Sequence, residues 1–291
     1  MIPAGVRSGR LHEVLPALLR IQVDLGADLS TATLAASAGM SPSHFHDVFR
    51  RATGETVKQY TLRLRLERAT FRLLTERTGV AAIAFDLGFG SHETFTRAFR
   101  RHHGMSPSDY REGMRPVAPP QVREGTAIPP EVARLSTTSA VHLHPAHVAF
   151  VRRVGPYEDV DPAEFSRLLD WVRERHLGPT CLMGIAHDAP GITPPERLRF
   201  DVGVQVTRAF ACAHEVGYQL LPERWCAATS YIGPFAGLAD AYQQAYRAAS
   251  ALRGFEVLGL PVEEKYLRST LLTQHEIQTT QILIPLRRTV P

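Results

Sequence analysis

FHDVFRRATG, from Phe45 to Gly54, and FTRAFRRHHG, from Phe95 to Gly104, lie fifty residues apart and share one frame. In both stretches two phenylalanines stand four residues apart, two arginines follow the second phenylalanine, and a glycine closes the stretch. A spacing of four places side chains on one face of a helix, and glycine commonly ends a helix. The repeat therefore predicts two copies of one helix that share a buried face and differ on the exposed face.

A shorter helix is predicted before each repeated helix. Ser30 can cap a helix that runs to Ala38 before Gly39, and Ser41, followed by Pro42, can cap the next. The second copy has helices Val80–Leu87 and Ser91–His103 around Gly88, and a closing helix begins at Ser106–Pro107. Two helices joined by a short glycine turn form a helix-turn-helix, so the sequence predicts two such units.

The 18 residues between the two copies, Val57–Leu74, predict a helix about 27 Å long. This length is close to the ~34 Å of one turn of duplex DNA. One chain could therefore hold two recognition helices in successive major grooves on one side of DNA. The alternative is a helical bundle in which the repeat serves the fold alone and the basic face is merely solvated.

Length, composition and charge indicate the number of domains, the part of the chain that carries the basic excess and the cellular compartment. The 291 residues favour two domains, and a hydrophobic fraction of 44% is sufficient for buried cores. Residues 1–115 hold 16 Lys/Arg against 11 Asp/Glu, while the rest hold 17 against 18, so the basic excess lies in the helical part. Three scattered cysteines, no signal core and no apolar run near 20 residues predict a cytoplasmic protein without a membrane span.

The segment from Arg115 to Arg134 carries five prolines and is predicted to be a linker. Helical patterns precede it, and strand-like runs that alternate with helices follow it. The predicted fold class is a two-domain chain, with an all-α double helix-turn-helix domain at 8–114, the linker at 115–134 and an α+β domain at 135–291.

The first domain closely resembles the DNA-binding domain of AraC-type transcriptional regulators over about residues 10–112. The resemblance rests on LAASAGMSPSHFHDVFRRATGETVKQYTLRLRLERA and IAFDLGFGSHETFTRAFRRHHGMSPSDYR. It implies that two recognition helices enter adjacent major grooves. The base-reading positions that it implies are Ser43, His46 and Asp47 in the first recognition helix and His92, Glu93, Thr96 and Arg97 in the second.

Arg97 has the chemistry for a bidentate contact with guanine. Asp47 departs from the expected basic character, because phosphates repel an acid; it could accept a hydrogen bond from a cytosine amine or take no part. The phosphate-binding candidates are Ser41, Arg50, Arg51, Ser91, Arg100 and Arg101. Each arginine pair is expected to divide between phosphates and carboxylates of the chain itself.

The second domain also repeats, since VRRVGPYEDV (Val151–Val160) is echoed by TSYIGPFAGL (Thr229–Leu238). Each stretch follows a strand-like run and precedes a helix, predicted at Pro162–Leu177 with Asp161 as cap, and at roughly Phe235–Arg253. An apolar strand with glycine follows each helix, CLMGIA or VLGLPV, and a last strand comes after it, LRFDVGVQV or QTTQILIPL. The pattern predicts two tandem strand-helix-strand-strand repeats around a ligand groove.

This order, with VRRVGPYEDV, RFDVGVQV and GLPVEEKYL, resembles the gyrase-inhibitor-like effector-binding domain over about residues 137–288. The resemblance implies that Glu264 lies in an aromatic-lined groove that meets cationic or amphipathic ligands, which charge and cation–π contact would attract. A one-residue register shift would exchange the roles of Glu264 and Glu263. The aromatic residues expected near Glu264 are Tyr157, Trp171, Trp225, Tyr231, Phe235, Tyr242 and Tyr266, of which about half should line the groove.

Other chemistry finds little support in the sequence. His142, His144 and His147 lack a carboxylate or cysteine pattern, so no metal site and no cofactor are expected. His102 and His103 are expected at a helix end that favours imidazolium. No nucleophile motif points to an enzyme. Some relatives of the second domain are reported hydrolases, however, and Glu264 activating a water would be the analogous mechanism.

The sequence therefore predicts a ligand-responsive, sequence-specific transcriptional regulator rather than an enzyme. Its expected partners are double-stranded promoter DNA, a small-molecule effector and RNA polymerase, with no membrane; monomer and dimer both stay open. The alternatives are a small-molecule hydrolase or sequestering domain for self-resistance fused to a DNA-binding domain, and a constitutive DNA binder with a vestigial effector domain.

Overall fold

The computed structural model describes residues 8–113, 134–213, 215–258, 261–268 and 277–289. The chain divides into two compact units, Met1–Pro116 and Val117–Pro291. Residues 115–133 of the predicted linker lie outside the described residues. The linker and its boundaries therefore stay predictions.

The described part of the first unit is helical throughout, as predicted. Its helices are α1 (Ser8–Val23), α2 (Thr31–Ser37), α3 (Pro42–Thr53), α4 (Val57–Thr75), α5 (Val80–Asp86), α6 (His92–His103) and α7 (Pro107–Gly113). Helices α2–α3 and α5–α6 form the two helix-turn-helix units. Helix α1, which no motif located, packs on α2 and α3 and buries Val14, Leu18 and Ile21 in the shared core.

Polar caps and glycines set the helix ends. The side chain of Ser41 accepts a hydrogen bond from the backbone N–H of His44, and that of Ser91 accepts one from Thr94. Gly54 and Gly104 end α3 and α6 with φ angles of 76° and 78°, a left-handed conformation that glycine adopts without strain. The caps predicted from the sequence are confirmed at these ends.

The two copies share their core geometry. The ring centroids of Phe45 and Phe49 lie 5.5 Å apart, and those of Phe95 and Phe99 also lie 5.5 Å apart. Tyr60 meets Phe49 edge-on at 5.4 Å, and Tyr110 repeats that contact with Phe99 at 5.5 Å. The fifty-residue repeat therefore encodes one aromatic scaffold twice.

Helix α4 connects the copies and is tied to both by ion pairs. Its 19 residues span about 28 Å. Arg63 Nη2 lies 2.8 Å from Glu55 Oε2, just beyond α3, and Arg72 Nη2 lies 3.0 Å from Asp86 Oδ2 on α5. Because these pairs join α4 to the segments that flank it on each side, they restrain how the two copies are set relative to the helix.

The two histidines at the end of α6 lie in surroundings that disfavour charge. His103 Nε2 is 2.8 Å from the Thr70 hydroxyl, and the His103 ring lies 4.3 Å from the ring of Phe99. Burial, with the adjacent His102 as a second cause, lowers the pKa of His103 to about 4, and burial also lowers the pKa of His102. The expected imidazolium is wrong here, because desolvation outweighs the pull of the helix C-terminus.

The described part of the second unit is one ten-stranded antiparallel sheet with two helices. The order along the sheet is β1-β7-β10-β9-β4-β5-β3-β6, while β2 also pairs with β7 and β8 with β10. The strands are β1 (Arg134–Leu135), β2 (Ser139–Leu143), β3 (Ala146–Val154), β4 (Pro179–Ala186), β5 (Arg199–Val206), β6 (Gly217–Leu221), β7 (Arg224–Gly233), β8 (Phe255–Val257), β9 (Val262–Arg268) and β10 (Gln278–Arg288). The helices are α8 (Ala163–Glu174) and α9 (Leu238–Ser250).

The predicted duplication is confirmed. The first module is β3, α8, β4 and β5, and the second is β7, α9, β9 and β10. In each module the last strand pairs with the first, and the modules meet where β4 pairs with β9. Both helices pack on the same sheet face, over the residues of two apolar clusters.

Three details of the predicted elements need correction. Helix α8 ends at Glu174 rather than Leu177, because His176 and Gly178 take positive φ angles of 52° and 63°. Helix α9 begins at Leu238, after a short 3-10 turn. The stretch VLGLPV is not one strand, since β8 ends at Val257 and β9 begins at Val262. The edge strands β2 and β6 lie outside the predicted modules.

Candidate nucleic-acid interface and ligand site

The outer faces of α3 and α6 carry the predicted base-reading residues. Five of the seven are exposed, and His46 is half-buried beside Asp47, with 3.5 Å between His46 Nδ1 and Asp47 Oδ1. Thr96 is half-buried and its hydroxyl is buried, so a base contact by that hydroxyl requires a rotation about χ1. The exposed set is Ser43, Asp47, His92, Glu93 and Arg97. Their roles stay predictions.

The four arginines predicted at phosphates are exposed on the same two helices. Arg51 donates to the backbone carbonyl of Asp47 at 3.2 Å. Within the described residues none of the four pairs with a carboxylate, so the expected division between phosphates and internal carboxylates is wrong. The guanidinium groups of these arginines are therefore available to an external anion. The four are Arg50, Arg51, Arg100 and Arg101.

Ser41 and Ser91 are the N-cap residues of α3 and α6, and both hydroxyls accept hydrogen bonds from the backbone of their helices. The Ser91 hydroxyl also donates to Thr94 Oγ1 at 3.2 Å. A phosphate contact at these positions would therefore involve the backbone N–H groups of the helix N-terminus beside the hydroxyls.

Glu264 in the second unit lies in the middle strand pair and is 3% exposed. Tyr242 from α9 donates a hydrogen bond to Glu264 Oε1 at 2.5 Å, and the Tyr266 hydroxyl donates to Oε2. Burial raises the pKa of Glu264, and the two tyrosine hydroxyls counteract this only in part. The carboxyl group is therefore held in an apolar interior by two hydroxyl donors, and it carries a proton to higher pH than an ordinary glutamate.

The register settles which glutamate faces the helices. Glu264 pairs with Gly184 on β4 and Ile282 on β10, both on the helix-covered face. Glu263 faces the other side, where Arg224 donates to both its carboxylate oxygens at 2.6 Å. The predicted opposition of the two glutamates is confirmed, and only Glu264 lies among aromatic side chains.

Gly184 leaves room for the rings of Phe200 and Tyr266 beside Glu264. A Cβ at this position would collide with the Phe200 ring and lie 2.8 Å from the Tyr266 hydroxyl. Phe200 in turn contacts Tyr157, with ring centroids 5.6 Å apart. The absent side chain thus gives Phe200 and Tyr266 the space beside Glu264.

The structure brings only part of the predicted aromatic set to Glu264. Tyr242 and Tyr266 bind it directly. Tyr157 lies close enough to interact with its charge, although the Tyr157 hydroxyl donates to the Asp188 carbonyl at 2.8 Å. Phe235 packs against both apolar clusters. Tyr231 is buried and donates to the Pro234 carbonyl at 2.9 Å.

Both tryptophans lie elsewhere. Trp171 packs on Phe210 at 5.6 Å and beneath the Arg175 guanidinium at 4.0 Å. Trp225 packs on Phe255 and pairs with Leu286, four residues along β10 from the partner of Glu264, which is about 13 Å along the strand. About half of the seven rings were expected to line the groove, and these two contact other side chains instead, each at the outer end of its own module.

Sequence reasoning missed a buried polar network on the opposite sheet face. Arg152 donates to Asp201 through Nε at 2.7 Å and Nη2 at 2.8 Å, and His187 Nε2 lies 2.8 Å from Asp201 Oδ2. Gln219 also donates to Asp201. Burial lowers the pKa of His187 to about 4. The available signal was a charged residue at a core position in each of two paired strands, VRRV and RFDVGVQV.

Among the described residues no group of three or more His, Cys, Asp or Glu side chains could hold a metal ion. In the same residues no helix is long and apolar enough to span a bilayer.

Comparison with known proteins places both units. Residues 34–113 match the model of a helix-turn-helix domain, and residues 137–287, more than half of the chain, match that of a GyrI-like small molecule binding domain. The regulatory protein SoxS of Salmonella typhimurium is 37% identical over 83 residues, which are 28% of this chain and 78% of SoxS. The chain belongs to the AraC-type helix-turn-helix family and carries a GyrI-like domain.

Two other relatives match about a third of this chain. The RCS-specific transcriptional activator RclR of Escherichia coli is 34% identical over 110 residues, 38% of this chain and 39% of RclR. The Msm operon regulatory protein of Streptococcus mutans is 29% identical over 92 residues, 32% of this chain and 33% of that protein. The chain spans only about a third of the length of these two relatives.

Two solved structures are also similar to parts of this chain. The DNA-binding domain of AdpA, solved with a target DNA, is 31% identical, covers 35% of this chain and 93% of that chain, and gives a TM-score of 0.34. The EcmrR C-terminal domain is 13% identical, covers 52% of this chain and 98% of that chain, and gives a TM-score of 0.41.

Proposed function

We propose that this chain is a ligand-responsive, sequence-specific regulator of transcription. Its AraC-type domain, residues 8–114, contacts adjacent major grooves of promoter DNA through α3 and α6. Its GyrI-like domain, residues 135–291, binds a small cationic or amphipathic effector at Glu264, and residues 115–134 are the linker between the two domains. RNA polymerase is the expected further partner, and the protein acts in the cytoplasm.

The observation that carries DNA binding is the duplicated recognition helix, with arginines that pair with no carboxylate in the part of the chain that the structure describes. Four exposed guanidinium groups on α3 and α6 are suited to phosphates. Arg97, exposed at the centre of α6, can donate two hydrogen bonds to guanine O6 and N7. Helix α4 lies between the two copies, and its length is close to one turn of duplex DNA.

The test is binding of the full chain to duplexes selected from a random library. Arg97→Ala should lose about 1–3 kcal/mol of affinity for the selected operator and its preference at one base pair. Arg77→Ala, which removes an exposed arginine of the same unit outside α3 and α6, is the matched control. Unchanged affinity and base preference in Arg97→Ala would show that its reading role is wrong.

Effector binding is supported by the chemistry of Glu264. An organic cation that displaces Tyr242 would form an ion pair with the Glu264 carboxylate. It would also make cation–π contacts with the ring faces of Tyr157 and Tyr266. The buried side chains of α9 are Leu238 and the three alanines Ala241, Ala245 and Ala249, whereas α8 buries Phe165, Leu168 and Val172. Tyr242 of α9 also packs against the apolar cluster beneath the helix, so a ligand that displaces this ring has to replace its apolar contact as well as its hydrogen bond.

Calorimetry with benzyltrimethylammonium tests this site, with the uncharged neopentylbenzene as the matched ligand. Cation binding favours the ionised carboxylate, so it should release a proton below the raised pKa of Glu264 and tighten as pH rises through that pKa. Glu264→Gln should abolish binding and its pH dependence. Glu174→Gln, an exposed carboxylate on α8, should leave both unchanged. Equal affinity for the uncharged ligand would contradict a charge-based site.

The raised pKa of Glu264 also favours one second candidate, a hydrolase in which this carboxylate activates water. Turnover of an ester or epoxide by the full chain, lost in Glu264→Gln and retained in Glu174→Gln, would establish it. Binding of cations without turnover would leave the effector role as the function of the site.

A further inference from the structure

The fifty-residue repeat pairs each predicted base-reading position of α3 with one of α6. Ser43 corresponds to Glu93, His46 to Thr96 and Asp47 to Arg97. The caps, the phenylalanine pairs and the terminal glycines correspond at the same offset, so the helices present these positions alike. At the last of the three positions one helix carries an acid and the other a base.

The two acids on these faces, Glu93 and Asp47, differ in their position along the helix and in their contacts. Glu93 lies in the first turn of α6, where its own backbone N–H and the neighbouring Ser91 side chain lower the pKa of its carboxyl. Asp47 lies in the middle of α3, its side chain is 68% exposed, and its carboxylate has His46 Nδ1 at 3.5 Å as its contact among the described residues. Glu93 thus serves its own helix, whereas the Asp47 carboxylate projects from the face that would enter the groove.

An acid on a phosphate-binding face costs free energy unless a donor on the DNA meets it. Arg50 and Arg51 flank the same helix face, so the face as a whole remains basic while Asp47 supplies a local acceptor. In the major groove cytosine offers its N4 amine as a donor, and guanine offers the two acceptors O6 and N7, which would repel a carboxylate. Adenine has an amine as well, but its N7 acceptor lies beside it and would face the second carboxylate oxygen.

We infer that Asp47 and Arg97 require opposite bases at corresponding positions of the two half-sites, cytosine under Asp47 and guanine under Arg97. The operator is then not a simple direct repeat at this base pair, although the two reading units are copies of each other. This inference rests on the proposed DNA-binding function and adds the residue that distinguishes the half-sites.

The test is selection from a fully randomised duplex library with the full chain, three test variants and one control variant. The wild-type protein should select one cytosine column and one guanine column about a helical turn apart. Asp47→Ala should flatten the cytosine column alone, with a loss of about tenfold in discrimination against other bases, and Arg97→Ala should flatten the guanine column alone. Asp47→Arg should convert the cytosine column to guanine.

Glu112→Ala, which removes an exposed acid of α7, is the matched control for the change in charge and should leave both columns unchanged. Asp47 is exposed, so its replacement does not threaten the fold. A cytosine column that persists in Asp47→Ala, or a column for another base that depends on Asp47, overturns the inference while DNA recognition stands. Absence of any selected sequence with the wild-type chain would instead show that the proposed function is wrong.

Discussion

Phe49 meets Tyr60 in the first helix-turn-helix copy at almost the distance at which Phe99 meets Tyr110 in the second, 5.4 Å against 5.5 Å. The duplicated modules of the second unit do not match in this way. The strand pairings place Gly184 of the first module and Glu264 of the second at corresponding positions, and these residues face each other across β4 and β9.

The difference shows where each duplication acquired its chemistry. In the AraC-type unit the copies keep one interior and vary the surface, because DNA meets them from outside. In the GyrI-like unit the copies differ in the interior, where one module leaves space and the other fills it with a carboxylate. Outer-face residues therefore decide the proposed function of the first unit, and core residues that of the second.

Truncating the shared aromatic scaffold gives the largest expected effect. Phe49→Ala and Phe99→Ala each delete a fully buried ring and should each cost about 3–5 kcal/mol in the free energy of unfolding of the first unit. Chemical denaturation followed by the helical circular dichroism signal measures this loss. Phe85→Ala, at a ring that is 58% exposed, is the control and should cost far less. A large difference between the two buried sites would mean that the copies are not equivalent.

Acid should destabilise the second unit through His187. The pKa of His187 is lowered from 6.5 to about 4, so the buried imidazole is neutral and the unit keeps its full stability above pH 6.5. As the pH falls from 6.5 to 4, the unfolded chain binds a proton that the folded unit does not, and stability is lost. The loss should approach about 3 kcal/mol at pH 4. Both tryptophans of the chain lie in this unit, so fluorescence reports its unfolding alone.

His187→Gln keeps a donor toward Asp201 but does not titrate. It should therefore remove most of the stability change between pH 6.5 and pH 4. The same pH profile in the variant and the wild-type protein would assign the acid sensitivity to another group.

Filling the space opposite Glu264 should have a smaller effect. Gly184→Ala puts a methyl group into the Phe200 ring and 2.8 Å from the Tyr266 hydroxyl, which should cost about 1–3 kcal/mol and weaken cation binding. Gly203→Ala is the control, since its Cβ would stay 3.1 Å from Met183 Cγ and 3.2 Å from the Met183 carbonyl oxygen and would not enter a ring. Equal costs at the two glycines would show that the asymmetry at Gly184 has no special role.

Local signals predicted much of the fold but only part of the site. Ser41, Gly54 and their repeats marked helix ends because caps and left-handed glycines act within a few residues. The Arg152–Asp201–His187 network could not be predicted, since its members are joined by strand pairing over 14 to 49 residues. Which of the seven aromatic rings converge on Glu264 could not be predicted for the same reason, because packing between elements decides it.

Chemical protection of guanine N7 on a selected operator reports contacts in the major groove, so it tests whether one chain occupies two adjacent grooves. We expect two protected clusters about 10 base pairs apart on one side of the duplex, and Arg97→Ala should lose only one of them. A single cluster, or two clusters on opposite sides of the duplex, would contradict the proposal that α3 and α6 of one chain occupy adjacent grooves.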